Sequence, residues 1–179
     1  MNKVLKSATE RLKASVRDVP DFPEKGIIFK DITPILQNSQ LFRLAITVFN
    51  EHYQRKTIDT IVAIDARGFL FASALAYCLG TGVALVRKKG KLPYQTIEQS
   101  YSLEYGENTL AMHTDAIQKD QKVLIVDDVL ATGGTVGATA ELVKQLGGNI
   151  VEIAVFIELE FLKGREKLAP LPVFSVLKY

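Results

Sequence analysis

One cysteine, Cys78, is all that the 179 residues carry, so no intramolecular disulfide forms. Only two histidines are present, and no Cys/His cluster has zinc spacing. Charge of one sign is also scarce. Lys plus Arg number 22 against 20 for Asp plus Glu, a balance that gives no reason to expect nucleic acid as the main partner. An anion site must therefore come from local placement. No apolar run reaches membrane-spanning length; "FLFASALAYCLG" is too short and ends in glycine. The opening "MNKVLKSATERLKASVRDV" lacks the apolar core of a secretory signal. Its Val4, Leu5, Ala8, Leu12 and Val16 line one face of a helix instead. The expected setting is the cytoplasm, with no membrane partner. There is no repeat, low-complexity tract or linker.

What is present is an ordinary globular composition, 47% hydrophobic and 23% charged, sufficient for one α/β domain over residues 1–179. After the N-terminal helix comes an irregular stretch rich in Pro, Gly and Asp, "DVPDFPEKGIIFKDITP". A second helix enters through Asn38 and Ser39 and carries Leu41, Ala45, Val48, Phe49 and His52. "TIVAI" reads as a buried strand, "GFLFASALAYCL" as a helix buried on most sides with Cys78 a small core residue, and "VALVR" as a strand. "YQTIEQS" shows no core-forming period, and "YSLEYGENTLAMH" reads as a hairpin. "KVLIV" is a strand, "GTVGATAELVKQLGG" a helix stopped by glycines, and "IVEIAVFIEL" and "VFSVL" the last strands. Strands alternating with helices predict a mainly parallel sheet with right-handed crossovers. Ligands of such sheets lie beyond the carboxyl ends of the strands.

Three strand ends carry "DARG" at 65–68, "RKKGK" at 87–91 and "DDVLATGGT" at 127–135. In the last, Gly133 and Gly134 let the main chain curl so that successive N–H groups converge, and the following helix aims its N-terminus at the same point. Thr132 and Thr135 add hydroxyls. This suits one phosphomonoester, yet neither the Walker pattern nor G-x-G-x-x-G is present. Asp127 and Asp128 would repel that phosphate, so they must face something else. Vicinal hydroxyls, as on a ribose, or Mg²⁺ held through water would satisfy them. No direct side-chain metal site is expected.

The constellation resembles the phosphoribosyltransferase signature. "FPEKGIIFKDITP", "ARGF", "VRKKGKLP", "YSLEYG", "VDDVLATGGT" and "LKGREKLAP" are all similar to the adenine phosphoribosyltransferases, in order and across residues 20–179. The resemblance implies the type I phosphoribosyltransferase fold. It also implies transfer of the phosphoribosyl group from 5-phosphoribosyl 1-diphosphate to N9 of adenine, giving AMP and diphosphate, with Mg²⁺ bound chiefly on the substrate's diphosphate. Homodimers are typical of the family, so a C₂ dimer is expected.

Carried over residue by residue, the resemblance assigns Glu104 to the proton around adenine N7 and Tyr105 to the lid. It gives Ala66, Arg67 and Gly68 to the diphosphate loop, with a cis peptide expected at Ala66–Arg67. Arg67 counts as catalytic there. Arg87, Lys88 and Lys91 add charge to the phosphates, while Lys89 reads as a surface lysine. Asp127 and Asp128 take the ribose; Ala131, Thr132, Gly133, Gly134 and Thr135 take the 5′-phosphate. Phe29 matches the stacking aromatic, and Ile28 and Lys30 match positions that read adenine through the main chain, within a base-binding hood over about 1–35. Residues 89–108 match the flexible lid. His113 reads as structural, with an approach to the diphosphate as the alternative. Two rivals remain at this point: a related transferase for another base such as xanthine, and a non-catalytic sensor of phosphoribosyl diphosphate.

Overall fold

The computed structural model describes residues 3–102 and 107–179. They fall into two compact units, Met1–His52 and Tyr53–Tyr179.

In the first unit, α1 (Lys3–Ser15) buries Ala8 and Leu12, as its apolar spacing predicts, with Leu5 half-buried; the helix ends at Ser15, so Val16 drops out of the expected face, and the Val4 side chain lies outside the described residues. The stretch that reads as irregular contains two short strands, β1 (Arg17–Pro20) and β2 (Ile28–Asp31), paired antiparallel with Val19 opposite Phe29. Proline and glycine mark only the turn between them, where Asp21 Oδ1 accepts the Gly26 N–H at 2.7 Å. A helical turn, α2 (Thr33–Gln37), follows. Asp31 ties these pieces together: Oδ1 accepts the Thr33 N–H at 2.9 Å and Oδ2 accepts Arg17 Nη2 at 2.7 Å. These bonds, the Thr33 amide first, lower the Asp31 pKa against a smaller desolvation. Helix α3 (Ser39–Tyr53) is capped as expected, with Asn38 Oδ1 accepting the N–H groups of Gln40 and Leu41 at 3.0 and 3.1 Å.

The second unit is built on a seven-stranded sheet. Its strands are β3 (Thr60–Ile64), β4 (Gly82–Lys88), β5 (Thr96–Ser102), β6 (Glu107–His113), β7 (Lys122–Leu130), β8 (Asn149–Glu158) and β9 (Val173–Lys178). They lie in the order β5-β6-β4-β3-β7-β8-β9. Strands β4, β3, β7, β8 and β9 run parallel, and β6 and β5 are added antiparallel at one edge. Helix α4 (Gly68–Leu79) links β3 to β4, and α5 (Gly134–Gln145) links β7 to β8. The short α6 (Gly164–Lys167) precedes β9. Every residue of β3 is buried, and Phe71 of α4 stacks on Phe156 of β8 with centroids 4.9 Å apart. Each such buried apolar side chain contributes about 1.5–3 kcal/mol, against ~0–1 for exposed pairs such as Lys144–Glu141 and Lys89–Glu98, so packing holds the helices to the sheet.

Three further expectations change. Strand β7 does not stop at Val126 but runs to Leu130, because β8 continues beside it to Glu158 and pairs Leu130 with Glu158. "YQTIEQS" enters β5, whose period of two extends past it: Ile97 within the stretch and Tyr101 just beyond it pack on the core, and Gln99 between them accepts a bond from Gln145 of α5. Cys78 is exposed rather than core. Phe71, Ala72, Leu75 and Ala76 take the inward face of α4, which leaves Leu70, Tyr77 and Cys78 outward.

Candidate active site

The chain turns back at β3: one crossover leads from β3 to β4, and β7, β8 and β9 extend on the other side. The switch point between β3 and β7 leaves a crevice at their carboxyl ends. Two of the predicted loops flank it.

The first follows β3. Asp65 still belongs to the sheet, donating its N–H to Val86 at 2.9 Å, and by Arg67 the chain has helical torsions. The turn is therefore made at Asp65–Ala66, and the cis peptide lies there, one bond before the expected Ala66–Arg67. Gly68 opens α4 with no room for a side chain. A Cβ would stand 2.8 Å from Asp127 Oδ1 and 3.1 Å from both Asp127 Cα and the Val126 carbonyl. That missing methyl is what lets the loop after β3 approach β7.

Asp127 and Asp128 are both 7% exposed. Asp127 Oδ1 accepts the Asp128 N–H at 2.8 Å. Burial, and then the neighbouring Asp128 charge, raises the Asp127 pKa well above the usual carboxylate range, against the pull of the Asp128 amide and Arg67. Arg67 Nε forms an ion pair with Asp128 Oδ2. That oxygen is buried without a well-directed hydrogen bond, so the ion pair is charge contact rather than satisfied geometry. Hydroxyl donors arriving at this pair would relieve both deficits.

The second loop is the cradle. Gly133 has φ +82°, a conformation that disfavours any side chain, and caps α5. Asp127 and residues 129–136 line a half-open cavity of ≈ 70 Å³, several times the ~10–15 Å³ that admits one water, and room for a compact anion. The free N–H groups and positive end of α5 face the same turn.

Sequence reasoning missed what holds this loop. A Cβ on Gly133 would meet the Gly164 carbonyl at 2.7 Å, and one on Gly164 would meet the Ala131 carbonyl at 2.1 Å. Glycine faces glycine across 31 residues, a pairing with no local signal. Gly164 is held in turn by its neighbour. Arg165 donates to Glu158 Oε1 at 2.8 Å, to Glu158 Oε2 at 2.5 Å and to the Val173 carbonyl at 2.7 Å.

The remaining cations are placed unequally. Arg87 Nε reaches Asp65 Oδ2 at 3.0 Å and its Nη1 reaches the Lys91 carbonyl at 3.0 Å, which ties the end of β4 to the loop after β3. Lys88 and Lys91 are exposed. Lys89 pairs with Glu98 at 2.6 Å on the surface. His113 lies away from these ends: Leu110 pairs with Lys88 and Met112 with Val86, so the register carries His113 toward the amino end of β4. In the first unit, Ile28 is 57% exposed, Phe29 meets Phe22 edge-on at 5.2 Å, and Lys30 Nζ is tied to Asp18 at 2.6 Å. Glu104 and Tyr105 lie outside the described residues. Among those described, no three His, Cys, Asp or Glu side chains gather where they would hold a metal ion.

The phosphoribosyl transferase domain family matches residues 31–175. The chain belongs to the phosphoribosyltransferase family. An adenine phosphoribosyltransferase of Methylacidiphilum infernorum is 55% identical over 179 residues, 100% of both chains. The crystal structure of adenine phosphoribosyltransferase from Rhodothermus marinus is 52% identical, with TM-score 0.92 over 97% of this chain and 99% of that one. The Saccharomyces cerevisiae enzyme, solved with adenine and an imino-altritol bisphosphate, is 42% identical, with TM-score 0.91 over 96% and 99%. Family membership and the parallel sheet agree with the type I fold that the sequence motifs imply.

Proposed function

We infer that the chain is an adenine phosphoribosyltransferase, joining adenine to the phosphoribosyl group of 5-phosphoribosyl 1-diphosphate to give AMP and diphosphate. The observation that carries this is the crevice at the β3/β7 switch point, where a glycine-shaped anion cradle and a buried carboxylate pair stand side by side. The 5′-phosphate takes the cradle, from Ala131, Thr132, Gly133 and Gly134 to Thr135. The ribose hydroxyls donate to Asp127 and Asp128, which compensates the burial of those charges. The backbone of Ala66 and Gly68 with Arg67, and the charges of Arg87, Lys88 and Lys91, receive the diphosphate as it leaves.

Mg²⁺ would suit this donor set: Asp127 and Asp128 would hold it through water together with the substrate's diphosphate, and it would supply neutralisation of charge on the leaving group. Residues 89–108 serve as the lid that excludes water from the ribosyl cation. Within it, Glu104 holds the proton handled at adenine N7, and Tyr105 closes the site.

The hood reads the base. Phe29 stacks on it. Successive residues of a strand direct their N–H and C=O groups to opposite sides, so Ile28 and Lys30 share one direction. In the ladder with β1, Ile28 stands opposite Pro20 and Lys30 opposite Asp18, and the side that these two residues share is assigned to the N1/N6 edge of adenine. The Lys30 side chain is engaged by Asp18, so its main chain is the reader. The setting is the cytoplasm and the assembly a C₂ dimer.

The purified protein, given phosphoribosyl diphosphate and Mg²⁺ with adenine, hypoxanthine, guanine or xanthine in turn, is expected to form AMP from adenine alone. Turnover of a 6-oxopurine would overturn the base assignment. Tight binding of phosphoribosyl diphosphate without turnover of any base would make the protein a sensor.

A further inference from the structure

Between Tyr101 of β5 and Thr135 of α5, one hydrogen bond joins the edge hairpin to the cradle. The Tyr101 hydroxyl lies 2.9 Å from Thr135 Oγ1, with either oxygen able to donate. The tyrosine ring lies against the main chain next to it: a Cβ on Gly134 would stand 2.9 Å from Tyr101 Cδ2. Ring and hydroxyl thus grip two consecutive residues, and both residues line the cavity. With the hairpin closed on α5, Tyr101 packs on the core and Gln145 donates to Gln99 of β5 at 2.9 Å, so in this closed arrangement of the lid the grip has a second point of support.

A threonine hydroxyl has a single proton. If Thr135 spends it on Tyr101, only lone pairs are left for the cavity, and these repel a phosphate. If Tyr101 donates, the Thr135 proton is free to turn inward. We propose that Tyr101 is a positioning residue for the 5′-phosphate: its phenol donates to Thr135 Oγ1 and so commits the Thr135 proton to the anion. Resting on the phosphoribosyltransferase reading for the identity of that anion, the inference adds a residue from outside the signature loop. It also makes the hairpin part of the phosphate site, because binding the phosphate selects the arrangement in which Tyr101 is the donor. The order of effect is that of one neutral hydrogen bond, roughly fivefold in affinity.

The test compares wild type, Tyr101→Phe, Thr135→Ala and the double variant. It measures KM for phosphoribosyl diphosphate and for adenine, dissociation constants for ribose 5-phosphate and for inorganic diphosphate, and thermal melting. Phenylalanine keeps the ring on Gly134 and removes only the hydroxyl. The expected result for Tyr101→Phe is a roughly fivefold rise in KM for phosphoribosyl diphosphate and in the dissociation constant for ribose 5-phosphate. Adenine KM and diphosphate binding should change less than about twofold, and the change should vanish in the Thr135→Ala background. The proposal is overturned by unchanged ribose 5-phosphate binding, by parallel weakening of all ligands with a lowered melting temperature, or by a full Tyr101→Phe effect without Thr135. Failure of wild type to make AMP would sink the adenine reading alone, since ribose 5-phosphate binding still decides the role of Tyr101.

Discussion

Gly68 is where a single hydrogen atom decides whether two loops meet. The atoms a methyl would strike include the Asp127 Cα and the Val126 carbonyl, which are backbone of a buried strand and cannot swing aside. Gly68→Ala should displace Asp127 and its bond to the Asp128 amide. We expect kcat/KM for phosphoribosyl diphosphate to fall by at least about tenfold and stability by ~1–3 kcal/mol, the usual cost of overpacking. Gly137→Ala is the control. It is also a helical glycine, but its Cβ would find only Leu168 Cδ2 at 3.8 Å, so helix propensity should make it neutral or stabilising by ~0.5–1 kcal/mol. Kinetics and denaturant melts of the two variants check both statements; an active Gly68→Ala protein would mean the loops do not need their close approach. At this scale the sequence was legible where the candidate site is made of neighbours in the chain. Asp127, Asp128 and Gly133 stand within seven positions. The Gly133–Gly164 contact, the Tyr101–Thr135 bond and the exposure of Cys78 depend on tertiary neighbours and leave no local trace.

Among the elements, α6 is one that sequence reasoning alone does not explain. Four residues make no stable helix in water. Arg165 supplies what the helix lacks, bridging it to Glu158 at the end of β8 while Ser175 of β9 donates to the same carboxylate. Glu158 is only 4% exposed, and the Arg165 bonds hold its pKa at about 2 against an ordinary 4.5. A lowered carboxyl pKa stabilises the fold fully above the ordinary value, and the gain is lost as pH falls from about 4.5 toward 2. Asp127, whose pKa is raised, contributes in the opposite sense: its share is present at low pH and lost as pH rises. Arg165→Met should cost about 2 kcal/mol or more by stranding a buried charge, with part of the full penalty screened by solvent at the exposed guanidinium. It should also flatten the acid limb of the melting-temperature profile below about pH 4.5 and weaken phosphoribosyl diphosphate by freeing Gly164. A variant with the wild-type acid limb would show that this pair does not clamp α6. Most other elements follow from periodicity to within one or two residues, as β3 and α4 do. The second half of β7 does not, since paired carboxylates look like a turn when β8 beside them is not visible.

On the scale of the whole molecule, α4 does two jobs with opposite faces. Its amino end holds Arg67 and Gly68 at the crevice, and its inner face packs on the sheet. Its outer face carries Leu70 at 46% and Tyr77 at 89% exposure, and neighbouring β4 shows Val83 at 36% and Leu85 at 37%. Large apolar side chains grouped in this way usually meet a partner. One patch that serves both copies closes a two-fold dimer and leaves nothing over to polymerise. A second copy on α4 would also steady the loop at residues 65–68 from behind, so assembly and catalysis would be linked. Wild type should therefore sediment near twice 19.8 kDa at micromolar concentration, while the double variant L70E/Y77E, with a charge on each outward position, should sediment as a monomer. Its turnover should fall with dissociation, whereas the melting of the separated subunit should show a folded protein because neither residue belongs to the core. A wild-type monomer, or a double variant that remains dimeric, would place the interface elsewhere; a fully active monomer would keep the interface but break its link to the diphosphate loop.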